Sequence, residues 1–176
     1  MSQVAISGNA SGTGTLTIAS PNTNSNYTLT LPQTTATLGI NGPSFSAYNN
    51  ASQTISAATA TKLTFNTEDF DTNSNFASSR FTPTVAGYYY LTAQVRNDGG
   101  VTGSNWALFY KNGVEYVRGT EQGSNYLVQF QSSVLLYLNG STDYVEVYYY
   151  SSTGATSGNA DSRYANRFTG FLARGA

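Results

Sequence analysis

The 176-residue sequence contains no cysteine and no histidine. The lack of cysteine excludes disulfide bonds and thiolate metal sites, and the lack of histidine removes the commonest general base and the commonest zinc ligand. No Gly-x-Ser-x-Gly motif occurs, and the nine acidic residues form no recognisable pair for glycoside hydrolysis. The sequence therefore predicts a protein that is not an enzyme, with no catalytic residues and no cofactor.

Charge is also scarce, because only 10% of the residues are charged and the net charge is -1. Nucleic acid and anionic membranes both attract a basic surface, so neither is expected as a partner. No apolar run approaches the roughly 20 residues of a membrane span, and residues 1–14 do not resemble a secretion signal. The chain is expected to be made as a soluble cytoplasmic protein.

Alternating apolar and polar residues, bounded by Gly, Pro, Asn or Ser, are abundant instead. The clearest case follows Pro83 and Gly87, where one face of a strand carries Tyr89, Leu91, Ala93 and Val95 and the other carries Tyr88, Tyr90, Thr92 and Gln94. Successive side chains on a strand face opposite sides of a sheet, so the first set predicts a core face. Two tyrosines on the second face indicate a surface that meets another protein chain.

The remaining alternation predicts an all-β chain of eight to ten strands in two packed sheets. Asn112-Gly113 predicts a tight hairpin turn, residues 67–79 a polar loop, and the strand at 125–138 is expected to cross the middle of a sheet. The other predicted strands are Ser44–Tyr48, Thr61–Asn66, Trp106–Tyr110, Val114–Arg118, Asp143–Ser151 and Arg167–Arg174.

Residues 1–42 differ from the rest because they are almost uncharged and nearly free of aromatic residues. Their short alternating runs, Thr15–Ile18 and Tyr27–Leu31, each precede a proline and are too short for an independent core. They are expected to pair with copies of themselves or with a larger assembly. Asn41-Gly42-Pro43 marks the junction, so the predicted domains are 1–42 and 43–176.

Residues 44–176 resemble the globular C1q domain of the C1q/tumour-necrosis-factor superfamily. The resemblance depends on Phe45 with Ala47, the stretch 62–91, LLYLNGSTDYVEVYYY and the closing RFTGFL, together with Asp71, Phe76, Phe81, Pro83, Gly87 and Tyr89. It implies a ten-stranded jelly-roll sandwich that assembles as a compact trimer. The chain departs from animal members in having no secretion signal and no Gly-X-Y stalk, and Gly140–Val145 replaces their shorter Gly-Asp-x-Val turn.

Residues 1–42 resemble a Thr/Asn-rich module of bacteriophage virion proteins. The matching stretches are Gly14–Ile18, Pro21, Asn26–Pro32 and Thr35–Leu38. This resemblance implies a segment that anchors a trimer to a virion through other virion proteins, and hence a virion location.

The expected trimer interface consists of Tyr88, Tyr90, Leu135, Tyr137 and Phe171, which lie outward on strands that the family places in its inner sheet. A glycan groove is the competing interpretation of the tyrosines, since aromatic faces stack on sugar rings. The residues of any ligand site stay unknown, with the loops at 97–104, 121–125 and 152–161 as the expected contact tips. Trp106 is expected in the core.

Residues 68–75 carry Glu68, Asp69 and Asp71 with two asparagines, a clustering of oxygen ligands that calcium prefers. The EF-hand pattern fails, because counting from Asp69 places Ser74 where glycine is needed and Arg80 where glutamate is needed. We therefore expect a polar inter-strand loop and no metal site.

Taken together, the sequence predicts a phage virion protein, a trimeric fibre or tip that displays a C1q-like domain for attachment to a host-surface glycan or protein. A head or neck decoration that stabilises the particle is the alternative, as is a bacterial surface or spore-coat trimer.

Overall fold

The computed structural model describes residues 11–15, 17, 24, 26, 42–98, 101–124, 128–157 and 164–176. The chain divides into two compact units, Met1–Ala36 and Thr37–Ala176. The strand runs predicted at Thr15–Ile18 and Tyr27–Leu31 lie wholly or partly outside the described residues, and the domain boundary after residue 42 stays a prediction. Everything below concerns the second unit.

The described part of this unit forms fourteen β-strands, so the predicted all-β class is confirmed. The strands are β1 (Ser44–Tyr48), β2 (Gln53–Ile55), β3 (Thr61–Lys62), β4 (Thr67–Asp71), β5 (Phe76–Ala77), β6 (Arg80–Phe81), β7 (Gly87–Asn97), β8 (Val101–Lys111), β9 (Val114–Arg118), β10 (Gln122–Ser124), β11 (Val128–Leu138), β12 (Val145–Ser151), β13 (Ala155–Ser157) and β14 (Arg167–Gly175).

The first sheet is built around β7, which pairs antiparallel with β11 on one side and with β14 on the other. From β14 the sheet continues through β1 to β4, while β13 and β2 extend it beyond the Asn97 end of β7. Among the described residues β11 pairs with β7 alone, so the prediction that this strand crosses the middle of a sheet is wrong. Alternation shows which face of a strand is buried, but it does not show how many neighbours the strand has.

The second sheet is built around β8 and β12, which pair antiparallel from Asn105 to Lys111. β8 also pairs with β9 and β10, and β12 continues to β3 and to the short β6–β5 hairpin. The two sheets enclose a core rich in aromatic rings. Its largest fully buried side chains are Tyr89, Tyr149, Phe45, Phe81, Phe109 and Phe168.

The core face predicted for β7 is confirmed, since Tyr89, Leu91, Ala93 and Val95 are at most 1% exposed. The buried hydroxyl of Tyr89 donates a hydrogen bond to the carbonyl of Val85 at 2.7 Å. Burial raises the pKa of this phenol to about 12, so Tyr89 is a neutral core residue at physiological pH.

Two hairpins turn through residues with positive φ at both central positions, as a type I′ turn requires. The predicted Asn112-Gly113 turn is confirmed, with φ of 52° and 79°. The second turn, Ser78-Ser79 between β5 and β6, has φ of 51° and 58° without any glycine. Ser79 holds this conformation in part because its hydroxyl accepts a hydrogen bond from the Phe65 amide at 2.8 Å.

The sequence prediction misplaced several short elements. The supposed polar loop at 67–79 contains β4 and β5, the predicted strand Thr61–Asn66 is regular only at β3, and β2 and β13 were not predicted. These strands have two to five residues, too few for alternation to be distinguished from chance. They are defined by the neighbours they pair with in the folded sheet.

Candidate functional site

Five apolar side chains that were predicted to face outward come together on the outer face of the first sheet. The strand register places Leu135, Tyr90 and Phe171 in one row across β11, β7 and β14, and Tyr137 and Tyr88 in the adjacent row. They are all between 40% and 59% exposed. We call these five residues the interface patch. Their outward orientation is confirmed, and their role in subunit contact stays a prediction.

The rings of the interface patch touch each other without covering each other. Tyr88 and Tyr137 make an edge contact with centroids 5.6 Å apart, and Tyr90 lies 5.9 Å from Phe171. Beyond this row the face becomes polar, because the hydroxyls of Thr92 and Thr169 share a 2.7 Å hydrogen bond. The patch is therefore a compact apolar area at one end of the sheet.

The outer face of the second sheet is also aromatic, and it includes Trp106. The prediction that Trp106 belongs to the core is wrong: it is partly exposed, while its neighbours Ala107 and Phe109 are completely buried. The ring of Trp106 lies 4.9 Å from that of Tyr150 on β12. Both faces of β8 carry large apolar residues, so alternation alone does not show which face is inside.

A cavity of about 190 Å³ opens beside Trp106. Arg118 lies with its guanidinium 5.2 Å from the centroid of the indole, and it forms an ion pair with Glu115. We call this the aromatic pocket. Its lining residues are Ala60, Trp106, Leu108, Glu115, Arg118 and Tyr150.

Further along the same face Tyr110 stacks on Tyr148, with centroids 4.0 Å apart and planes at 26°. Partial burial is the main cause that raises the pKa of both phenols, and the carboxylates of Glu115 and Glu146 add to it. Both tyrosines are therefore neutral hydrogen-bonding groups. In contrast to the interface patch, these rings cover each other within one subunit.

Glu146 is the one buried carboxylate among the described residues, and it is bound by two cations. Lys62 Nζ lies 2.6 Å and Arg80 Nε 2.8 Å from its Oε1. Burial by itself would raise the pKa of this carboxyl, but the hydrogen bonds and charges of Lys62 and Arg80 outweigh burial and lower it. The arrangement is a structural ion-pair network that joins β3, β6 and β12.

The acidic stretch 68–75 makes its hydrogen bonds within the protein. Asp69 Oδ2 accepts from Arg167 at 2.6 Å and from Ser46 at 3.0 Å, and Asp71 Oδ2 accepts from the Phe76 amide at 2.7 Å. Across the described ranges, no three His, Cys, Asp or Glu side chains lie close enough to hold a metal ion. These carboxylates connect strands to each other and to the turn.

The loops predicted as contact tips are only partly described. Asn97 is completely buried at the end of β7, which contradicts its place in an exposed tip. Ser104 and Ser152, from two of these loops, join through reciprocal hydrogen bonds of 2.9 Å. The residues at 99–100, 125–127 and 158–163 lie outside the described ranges. No helix in the described part of the chain is long and apolar enough to span a membrane.

Comparison with solved structures identifies the fold. The globular domain of zebrafish complement 1qA matches with a TM-score of 0.59 and 17% identity, over 77% of this chain and 100% of that one. The fold is a C1q/TNF-like jelly roll. Murine APRIL matches with a TM-score of 0.59 and 12% identity, over 75% of this chain and 99% of the other.

The Eiger TNF of S. frugiperda matches the jelly roll with a TM-score of 0.58 and 10% identity, over 77% of this chain and 93% of that one. No family model matches the chain, and no curated protein matches it in sequence. The predicted C1q/TNF-like jelly roll is therefore confirmed by structure, at identities that establish the fold alone.

Proposed function

We propose that this jelly roll is a non-catalytic binding domain that assembles as a homotrimer through the interface patch. The observation that carries the proposal is the row Leu135, Tyr90 and Phe171, three large apolar side chains that stand 40% to 59% exposed side by side. Burying such side chains stabilises an assembly by about 25 cal/mol per Å² of apolar surface removed from water. Within the described part of the subunit, these side chains are left about half exposed.

Three copies, rather than two, are favoured by the resemblance to the C1q domain, whose members assemble as compact trimers. None of the five patch residues is charged, and the nearest charged residue in register, Arg174 opposite Tyr88, lies at the border of the patch. Charged residues are depleted at the centre of protein interfaces. Its tyrosines have hydroxyls that can bond across a subunit contact while their rings are buried.

The direct test is the mass of the full-length chain in solution. Leu135→Asp places a charge in the middle of the patch and should convert a trimer into a monomer. Val114→Asp is the matched control, since Val114 is an apolar residue 69% exposed on the second sheet, and this variant should remain a trimer. A wild-type chain that sediments as a monomer at micromolar concentrations contradicts the proposal.

The larger role proposed for the trimer is display on a bacteriophage particle, anchored by residues 1–42. Support comes from the resemblance of that segment to virion modules. Three identical domains on one particle would strengthen weak contacts with a host surface through avidity. Other virion proteins would be the partners of the anchoring segment.

Phage particles that lack the protein can be used to distinguish an attachment role from a decoration role. An attachment role predicts intact particles that fail to adsorb to host cells. A head or neck decoration predicts particles that adsorb normally and lose resistance to heat. Immunogold labelling that finds no protein on purified particles would overturn both and favour a bacterial surface or spore-coat trimer.

A further inference from the structure

We infer that the aromatic pocket is a binding site for one neutral pyranose ring of a glycan. The pocket lies on the second sheet, opposite the interface patch, and all its lining residues belong to a single subunit. The inference rests on the binding role proposed above and names the chemical class of its ligand.

The apolar part of the pocket suits the face of a sugar ring. Trp106 and Tyr150 lie with centroids 4.9 Å apart and planes at 35°, and Leu108 and Ala60 complete the apolar lining. The face of an aromatic ring is the negative end of its quadrupole. It therefore attracts the axial C–H groups of a pyranose, which carry partial positive charge.

The polar part of the pocket can bond hydroxyl groups. Arg118 supplies N–H donors and Glu115 supplies carboxylate acceptors. Trp106 and Tyr150, which also line the pocket, carry an indole N–H donor and a phenol hydroxyl. Donors and acceptors around an aromatic surface match a polyol better than a hydrocarbon.

The charges around the pocket decide between neutral and ionic ligands. Arg118 and Glu115 are paired, so the pocket carries no net charge. An anionic ligand drawn to Arg118 would meet the carboxylate of Glu115, and a cationic ligand would meet the guanidinium of Arg118. A neutral sugar ring is repelled by neither group.

The volume fits a single ring. About 190 Å³ is less than the roughly 300 to 1,000 Å³ of pockets for drug-sized ligands. A ligand of this size binds weakly, with a Kd on the order of 1 mM. Three pockets on one trimer would compensate for this weakness, because linked sites gain apparent affinity without new contacts.

The single tryptophan of the chain is Trp106, so its fluorescence reports directly on the pocket. The full-length protein is titrated with a panel of neutral methyl pyranosides, including N-acetylated ones, and with a glucuronide and a glucosamine as charged probes. We expect a saturable change with at least one neutral sugar. A charged sugar that binds more tightly than every neutral one, or no saturable change with any sugar up to its solubility limit, overturns the inference.

Variants test whether the sugar binds in the aromatic pocket. Tyr150→Ala should weaken binding about tenfold, and Glu115→Gln, which keeps the shape of the side chain, should weaken it while leaving the thermal unfolding midpoint nearly unchanged. Tyr110→Ala is the matched control, because Tyr110 lies on the same face of β8 and does not line the pocket. Equal weakening by Tyr110→Ala and Tyr150→Ala would overturn the assignment to this pocket.

The result of the sugar titration does not depend on the result of the test for trimer assembly. A trimer that binds no sugar would refute this ligand class and leave the assembly intact. A monomer that binds a neutral sugar would support the pocket and refute the trimer.

Discussion

The two outer faces of this sandwich are both aromatic, and they differ in how their rings are covered. On the first sheet Tyr90 and Phe171 stand about half exposed, with centroids 5.9 Å apart. On the second sheet Tyr110 and Tyr148 stack at 4.0 Å, and Trp106 is flanked by Tyr150 and Arg118. The rings of the interface patch are left about half exposed, whereas on the second face Tyr110 packs on Tyr148 and Trp106 on Tyr150, beside the aromatic pocket. The count of aromatic residues is therefore a poor guide to what a surface binds.

The largest effect is expected from a change in the core that supports both faces. Phe168 is completely buried and contacts the rings of Phe45, Phe65, Phe76 and Phe109. Phe168→Ala should lower the free energy of unfolding by about 3 to 5 kcal/mol, measured by chemical denaturation. Phe171→Ala on the same strand, at a half-exposed position, should leave the unfolding of the monomer within about 1 kcal/mol. Similar losses in both variants would contradict the assigned faces of β14.

The next largest loss of stability is expected from a change in the ion-pair network of the second sheet. Glu146→Gln should cost about 2 kcal/mol at neutral pH, because it leaves Lys62 and Arg80 without their shared carboxylate and those two cations are partly exposed.

The same network sets a pH dependence. The pKa of Glu146 is lower in the folded state than its ordinary value of 4.5. The stability that ionised Glu146 contributes is therefore present above about pH 4.5. It is lost as the pH falls through the pKa of Glu146 in the folded state. Denaturation curves should be measured across this pH range. The free energies of unfolding of Glu146→Gln and of the wild type should converge in acid. A difference between them that stays constant with pH would show that the charge is not responsible.

A matched pair of tyrosine variants compares the faces directly. Tyr148→Ala should lower the stability of the subunit by about 1 kcal/mol at every protein concentration, since its stacking partner lies in the same chain. Tyr90→Ala should lower the thermal midpoint mainly by weakening association, so its effect should vary with protein concentration. Calorimetry at several concentrations tests this difference. A concentration dependence shared by both variants would remove the contrast.

Salt should have the smallest effect. None of the five patch residues is charged, so association should persist or strengthen as sodium chloride rises to about 1 M. The exposed pair of Arg118 and Glu115 should contribute little to stability, and less as salt screens it. Sedimentation equilibrium across this range is the measurement. Dissociation at high salt would indicate that charges, and not the patch, hold the assembly together.

The sequence predicted β7 and β11 and their faces because in both strands a mainly apolar side alternates with a side that includes polar residues. On β11 the buried set Phe130, Leu136 and Leu138 opposes the exposed Leu135 and Tyr137, as alternation indicates. The Asn112-Gly113 turn was predictable because its residues favour positive φ.

What could not be predicted depended on partners distant in the sequence. Trp106 and Phe109 are both large and apolar, and only the packing of β8 against the opposite sheet shows which of them is inside. The aromatic pocket joins Ala60, residues of β8 and β9, and Tyr150 of β12. No pattern within a single segment predicts that these residues lie together. The interface patch, in contrast, follows from alternation on three strands.

The position of β14 between β7 and β1 has a consequence for synthesis. β14 follows all the other strands of the jelly roll in sequence, yet it carries the ladder that joins β1 and β4 to the rest of the first sheet. During translation this sheet stays divided until residues 167–175 have left the ribosome. A product terminated before β14 would present unpaired borders on β7 and β1, which are prone to pair with other chains.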